Sequence, residues 1–459
     1  ESARDAMLTS FLLTAALAFS GPAHNRHRTS TSQLQMADLD PKRTIVVSGV
    51  GIVSSLGHGD AAWQSLLDGK SGVGQVTHFD ASAYSTTIGA EVGSWFVPGD
   101  YFDSAKSVKQ NDRYTHFGVA AARMAIEDAG LDLSSTDRSR VGVMVGSAFG
   151  GMATFENEVN KLTARGHKRV SPFTIPGLLG NTVSGIIGIE LGCEGPNFGV
   201  VSACAAGTHA IGQAVRALQY GEADVIIAGG TEAAITPLSY AGFCAMKAMC
   251  STSNDEPTKG SRPFDAGRAG FVMGEGAGVL VLETLEHFQE RGGQGYCELA
   301  GYAATCDAHH ITTPHPEGEG LYRCLDRALK DASASIDDVG YINAHGTSTA
   351  YNDKFETMAY KRVFGDTASN ILISSTKSMT GHTLGAAGGI EAAICALTLK
   401  TGDVPPTINY ETPDPDCDLN YVPNKAAKLD ESKTVVVSDN LGFGGHNGAV
   451  VFRKLEVEH

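Results

Sequence analysis

The chain has 459 residues, with 35 Lys+Arg against 51 Asp+Glu for a formal charge of −16. That length exceeds the ~250–300 residues at which one hydrophobic core stops growing, so two packed units or one large duplicated domain are expected. A content of 42% hydrophobic and 19% charged residues excludes a disordered chain, and the acidic balance excludes generic nucleic-acid binding, so any anionic partner must find a local basic patch.

The N-terminal segment reads as an address. Residues 8–19, LTSFLLTAALAF, form an apolar run too short to span a bilayer but suited to the core of a signal peptide, with A-L-A as a cleavage-site pattern. The stretch that follows carries Arg26, Arg28 and several Ser/Thr, with no acid until Asp38, which is transit-peptide chemistry. Residues 1–41 are therefore predicted to be a two-part presequence of the kind that directs proteins to secondary plastids of algae; a mitochondrial presequence is the alternative. No later run is long and apolar enough for a transmembrane helix, so no stable membrane insertion is expected from about Pro41 onward.

After Lys42, short apolar β-branched runs alternate with longer segments of 3.6-residue period, which predicts an α/β fold with sheets buried on both faces. The pattern repeats. Helix Ala125–Ala129, a polar turn and strand Val141–Val145 recur as Ala328–Ala332, a polar turn and Val339–Asn343. Apolar positions Ile211, Ala214, Val215 and Leu218 have a counterpart in Ile390, Ala393, Ile394 and Leu397, and each set leads to an apolar strand and a glycine-rich turn. Two echoes in the same order predict an internal duplication, residues 42–293 followed by 294–459. The 55 glycines, about 12% where ~7% is usual, predict many tight turns and close backbone approaches. Nine scattered cysteines without a C-x-x-C pair disfavour a disulfide framework or a zinc knuckle.

Cys204, in VVSACAAGTHAIG, falls where a β run ends and an amphipathic helix is about to begin. A helix N-terminus favours thiolate over thiol, so a lowered pKa and an activated nucleophile are expected, the alternative being a buried cysteine at a strand end. The small neighbours leave room for backbone N–H groups to form an oxyanion hole. His345, in NAHGTST, and His382, in SSTKSMTGHTLGAAGG, fall in loops after strands in the second half, where α/β sheets collect ligands. Lys377 is either a surface lysine or a buried charge paired with Glu391 on the following helix. Cys306, His309 and His310 lack a fourth ligand at suitable spacing, so no metal is expected. The glycines around Gly49 and Gly274 make no complete nucleotide-binding fingerprint.

VSACAAG, NAHGTST, SSTKSMTGHTLGAAGGIEA and NLGFGGHNG, in this order, resemble the β-ketoacyl-acyl-carrier-protein synthases of type II fatty acid synthesis, nearest the elongating branch; the likeness runs from about Arg43 to Phe452. The resemblance implies a duplicated thiolase-type fold of five layers, α-β-α-β-α, and a homodimer. It implies that Cys204 accepts an acyl group from carrier-protein phosphopantetheine, that His345 and His382 bind the malonyl thioester and assist loss of CO2, and that Lys377 with Glu391 orients the site. The amides of Cys204 and Phe443 would form the oxyanion hole, Phe443 would gate malonyl access, and Thr347 and Thr349 would bind the pantetheine arm. Lys106, Lys109 and Lys247, with Arg113 nearby, would receive the acidic acyl carrier protein. No cofactor is implied beyond the phosphopantetheine that the carrier brings.

Some positions depart from the family pattern. Ala269 stands where Asp is usual, Asp439-Asn440-Leu441 replaces a frequent N-S-F, and Phe149 replaces a smaller aliphatic residue lining the acyl tunnel, which predicts a preference for shorter primers. A non-catalytic chain-length-factor-like subunit, a polyketide-type ketosynthase and a cysteine hydrolase are the competing functions. The first typically lacks the cysteine, and the last needs no second histidine.

Overall fold

The computed structural model describes residues 43–455; the expected presequence lies outside the described residues. The strands that build the main sheet system are β1 (Ile45–Ser54), β2 (Val141–Gly146), β3 (Asn197–Val200), β4 (Val225–Glu232), β5 (Gly276–Thr284), β6 (Cys297–Cys306), β7 (Val339–Asn343), β8 (Leu372–Ser374), β9 (Val435–Gly442) and β10 (His446–Arg453). They pair in the order β8-β7-β9-β10-β6-β1-β5-β4-β2-β3. Cut between β6 and β1, each half reads third, second, fourth, fifth, first. In both halves the first two of these pairings are parallel and the next two antiparallel. The junction is slight, with Val46 opposite Glu298 and Val47 opposite Cys297. Identical order and polarity on both sides is the duplication that the sequence echoes predict.

Period-two alternation along the strands sorts side chains into separate cores. Val225 and Ile227 of β4 and Val279 and Val281 of β5 pack outward with Phe117 and Ala121 of α1 (Arg113–Asp128), while Ile226, Ala228, Leu280 and Leu282 point inward. In the second half Val435 and Val437 face Leu325 and Ala328 of α3 (Glu319–Asp331), and Val436 points inward. The inner side chains of both sheets meet on α2 (Ala206–Gln219) and α5 (Ala387–Thr401), through Ile211, Ala214, Val215 and Leu218 and through Ile390, Ala393, Ile394 and Leu397. A fifth helix, α4 (Ala350–Phe364), contacts α3. The result is the α-β-α-β-α sandwich.

The middle layer explains two sequence features. Contrary to the expectation that no later run is long and apolar enough, Leu384–Thr401 has the length and apolar composition of a membrane span, yet 89% of it is buried inside the protein because α5 is enclosed on all sides. A methyl group on Gly389 would collide with the Gly278 carbonyl, and one on Gly388 with the Thr208 side chain, so these glycines let the helix lie directly against its neighbours. Both central helices also start alike. Ala203 (φ 51°) and Leu384 (φ 52°) adopt the left-handed conformation at the head of short 3-10 turns, Ala203–Ala205 and Leu384–Ala386, that feed α2 and α5. Such strain in residues with a Cβ concentrates where a turn must aim a side chain.

Candidate active site

That turn aims Cys204 at a cavity of about 780 Å³ whose wall it shares with His345, His382 and Phe443. Four residues remote in sequence therefore converge on one chamber. The expectation of a lowered thiol pKa does not hold in the resting protein. Burial pushes Cys204 up to about 12, outweighing the Lys377 charge and the backbone amides of Cys204 and Phe443, which both favour the anion. The helix terminus is where the sequence puts it, but the sulfur is almost fully desolvated, and desolvation is the larger effect.

The histidines are held through their backbones. Ala344 N–H donates to the Ser374 carbonyl at 3.0 Å, Gly346 N–H to Glu356 Oε2 at 2.8 Å and Thr347 N–H to Asp353 Oδ1 at 3.0 Å, which pins the loop carrying His345 to β8 and α4. His382 N–H donates to the Val272 carbonyl at 2.7 Å, and its own carbonyl accepts from Gly274 N–H at 2.9 Å. The two rings stand edge to face with centroids 5.3 Å apart. Burial first, and then the Lys377 charge, hold both imidazoles well below the ordinary histidine range, so both are neutral at pH 7. Lys377 is only 1% exposed and pairs with buried Glu391; of the two readings of Lys377, the structure shows the buried pair. Burial nevertheless raises the Glu391 carboxyl above its usual value.

Two further residues bind the site together. Asn440 Nδ2 donates to Glu391 Oε2 at 2.7 Å and lies 3.3 Å from His345 Nδ1, while its Oδ1 accepts from the Thr208 hydroxyl. Glu232, buried and pushed up to about 7, accepts from Ser147 Oγ at 3.1 Å, Ala148 N–H at 2.7 Å and Gly385 N–H at 3.2 Å. It clamps the loop bearing Phe149 to the turn before α5. The only signal for Asn440 in the sequence is its departure from the family pattern, and there is none for Glu232, whose partners come from segments far apart in the chain.

The remaining predicted residues separate. Phe149, Thr347, Thr349 and Lys247 line the cavity. Phe149 meets Phe243 edge to face at 6.2 Å, Phe443 lies 6.4 Å from the same ring, and the two threonine hydroxyls are 3.0 Å apart. Lys106 and Lys109 are exposed on the short helix Ala105–Gln110, outside the cavity lining. Arg113 is not a free neighbour for them: its Nη2 reaches Glu275 Oε1 at 2.7 Å and the Val92 carbonyl at 2.9 Å, so its charge is spent internally.

Residues 42–287 match the family described as "Beta-ketoacyl synthase, N-terminal domain", and residues 296–411 match its "C-terminal domain". The chain belongs to the β-ketoacyl synthase family. It is 48% identical over 422 residues to 3-oxoacyl-[acyl-carrier-protein] synthase 2 of Synechocystis sp., covering 92% of this chain and 100% of that one. It is 47% identical to the protein of the same name from Coxiella burnetii, covering 90% of this chain and 99% of that one. Among solved structures it is similar to one chain of a complex between a type II polyketide synthase acyl-carrier protein and its ketosynthase, at a TM-score of 0.83 and 35% identity, covering 90% of this chain and 100% of that one. In this β-ketoacyl synthase Cys204 also belongs to an apolar cluster with Ile235, Phe243, Phe271 and Leu384, a surface suited to hydrocarbon rather than to water.

Proposed function

We propose that the chain is a 3-oxoacyl-[acyl-carrier-protein] synthase of fatty acid elongation, an acyltransferase that joins an acyl group held on Cys204 to a malonyl unit by decarboxylative condensation. The observation that carries this reading is the convergence of one thiol and two neutral imidazoles on a single apolar-walled cavity. A hydrolase would need a water path and a base. Here the base is unnecessary, because loss of CO2 generates the carbon nucleophile.

In the first half-reaction the Cys204 sulfur attacks the acyl thioester carried by phosphopantetheine. The Sγ–C bond forms, the pantetheine thiol leaves, and the Cys204 proton departs with it. The amides of Cys204 and Phe443 are the natural donors to the oxyanion of the tetrahedral intermediate. In the second, His345 and His382 donate to the malonyl thioester carbonyl. The bond to the carboxylate breaks, CO2 leaves, and its electron pair becomes an enolate stabilised by the two donors. The enolate carbon attacks the acyl carbonyl and the Cys204 thiolate is expelled. Neutral imidazoles suit this step, since a neutral N–H donor stabilises enolate charge without neutralising it by proton transfer. Lys377 and Glu391 act on the histidines by position and field, Thr347 and Thr349 receive the pantetheine arm, and Phe443 gates malonyl entry.

Lys106, Lys109 and Lys247 are our proposed contacts for the acidic acyl carrier protein. A homodimer fits the edge strand β3, whose neighbourhood exposes Ile189 and Val201 at 76% and 68%. The composition of residues 1–41 supports delivery to a plastid. The test is intact-mass analysis after incubation with acyl-loaded carrier, followed by malonyl-loaded carrier. Cys204 should gain the acyl mass and then lose it with release of CO2, and Cys204→Ala should gain nothing. Acylation on another residue, or hydrolysis without malonyl, would reject the proposal.

A further inference from the structure

The decarboxylation step needs the proton of His345 on the nitrogen that faces the cavity, and the structure contains a device that puts it there. Asn440 Nδ2 is forked between Glu391 Oε2 at 2.7 Å and His345 Nδ1 at 3.3 Å, and Oδ1 is taken by the Thr208 hydroxyl. The amide cannot be turned over. Glu391 already holds the Lys377 ammonium on its other oxygen and is therefore an acceptor, so a flip would set Oδ1 against it. Both N–H bonds of Asn440 thus point at Glu391 and at Nδ1 of His345. A ring nitrogen that accepts carries no proton, and a neutral imidazole has only one.

We infer that Asn440 is a positioning residue that holds His345 in its Nε2–H tautomer and ties that ring to the Lys377–Glu391 pair. The inference rests on the condensing reaction proposed above. Serine, the frequent residue of the family pattern at this position, has a side chain too short to reach both partners. This chain therefore settles its tautomer by a contact that the resemblance alone does not supply. An aspartate would fail differently, because a carboxylate beside Nδ1 accepts and draws the proton away from Nε2.

The experiment compares the native protein with Asn440→Ser and Asn440→Asp by three measurements: the rate of Cys204 acylation, the rate of CO2 release from malonyl-loaded carrier, and the ¹⁵N spectrum of histidine-labelled protein. His345 signals are assigned from their loss in His345→Ala. Acylation should stay within about twofold. CO2 release should fall about tenfold in Asn440→Ser, as for one lost buried hydrogen bond, and about 100-fold or more in Asn440→Asp, as when an orienting group imposes the wrong tautomer. The fall should lie in kcat, with KM for the malonyl substrate held. The native spectrum should show Nδ1 bare and Nε2 protonated, and Asn440→Asp should reverse this. The inference is overturned if native His345 carries its proton on Nδ1, if Asn440→Ser releases CO2 at the native rate, or if acylation and decarboxylation fall together. Should the native protein neither acylate nor decarboxylate, the proposed function fails, and the ring spectrum still decides the tautomer. If Asn440→Asp does not fold, Asn440→Ser carries the comparison.

Discussion

A cysteine whose pKa is pushed up to about 12 has on the order of 10⁻⁵ of its population as thiolate at pH 7, so Cys204 is at rest a protonated thiol in an apolar wall. On the proposed mechanism its reactivity arises when a thioester carbonyl is seated and the amides of Cys204 and Phe443 receive the developing charge. This predicts an unusual pH dependence for alkylation of the free protein. Iodoacetamide labelling of Cys204, followed by peptide mass mapping, should keep rising about tenfold per pH unit through pH 10, where an ordinary thiol has levelled off; a plateau below pH 9 would show that the field of Lys377 prevails over burial. The second residue-scale prediction concerns Phe149. Its ring projects into the cavity against Phe243, so Phe149→Ile should lengthen the preferred primer and raise kcat/KM for the longest acyl chains about tenfold, the worth of one or two buried methylenes. A ladder of acyl-loaded carriers measures this, and an unchanged profile dismisses the ring as the limit.

Among the secondary-structure elements, those with a strong period were legible in the sequence. The faces of α2 and α5 could be picked out as Ile211/Ala214/Val215/Leu218 and Ile390/Ala393/Ile394/Leu397 because a one-sided apolar stripe leaves a 3.6-residue signal, and these are the residues that fill the middle layer. The family motifs likewise marked Cys204, His345 and His382. The joint between β1 and β6 was not legible, since two facing residue pairs leave no pattern. Nor were the Glu232 clamp and the Asn440 fork, which join segments that are neighbours only after folding. The Cys204 pKa departs from the sequence expectation for a related reason: the helix terminus is local and visible, whereas burial is supplied by the whole fold. The short helix Ala105–Gln110 gives an element-scale prediction. Lys106 and Lys109 are three residues apart, hence on one face, and Ser104 caps the helix by accepting from Ser107 N–H at 3.0 Å. Reversing both lysines to Glu should raise KM for acyl-loaded carrier about tenfold, leave kcat nearly unchanged and weaken the dependence of KM on salt, because exposed charges act on encounter. An unaltered KM would remove this helix from the docking surface.

On the scale of the whole molecule, stability should respond to pH through a proton shared in the second half of the duplication. The Tyr360 hydroxyl lies 2.7 Å from both Glu356 Oε1 and Asp439 Oδ1, yet it has one proton to give. One carboxyl must therefore keep its own, and Asp439 Oδ2 is buried without a partner among the described residues, as suits a neutral acid better than a carboxylate. Burial pushes Asp439 up to about 7 and Glu356 well above the usual range, and Glu232 is raised to about 7 in the first half. In the unfolded chain such groups release their protons near pH 4. The folded protein thus holds protons that the unfolded chain gives up, so this contribution is fully present below about pH 4 and is lost as pH rises through about 7. The buried histidines oppose it: His345 and His382 refuse protons that the unfolded chain accepts, and their contribution is present above about pH 6.5 and lost as pH falls below it. Replacing Asp439 by Asn, the residue the family pattern frequently has there, removes one of the shared carboxyls and supplies an N–H donor in its place. Asp439→Asn should therefore melt above the native protein at pH 8, by roughly 1–3 kcal/mol of stability, with the gap closing toward pH 5. Melting curves for the two proteins that run parallel from pH 5 to pH 8 would mean that the Asp439 carboxyl is ionised in the folded state and that Glu356 keeps the shared proton.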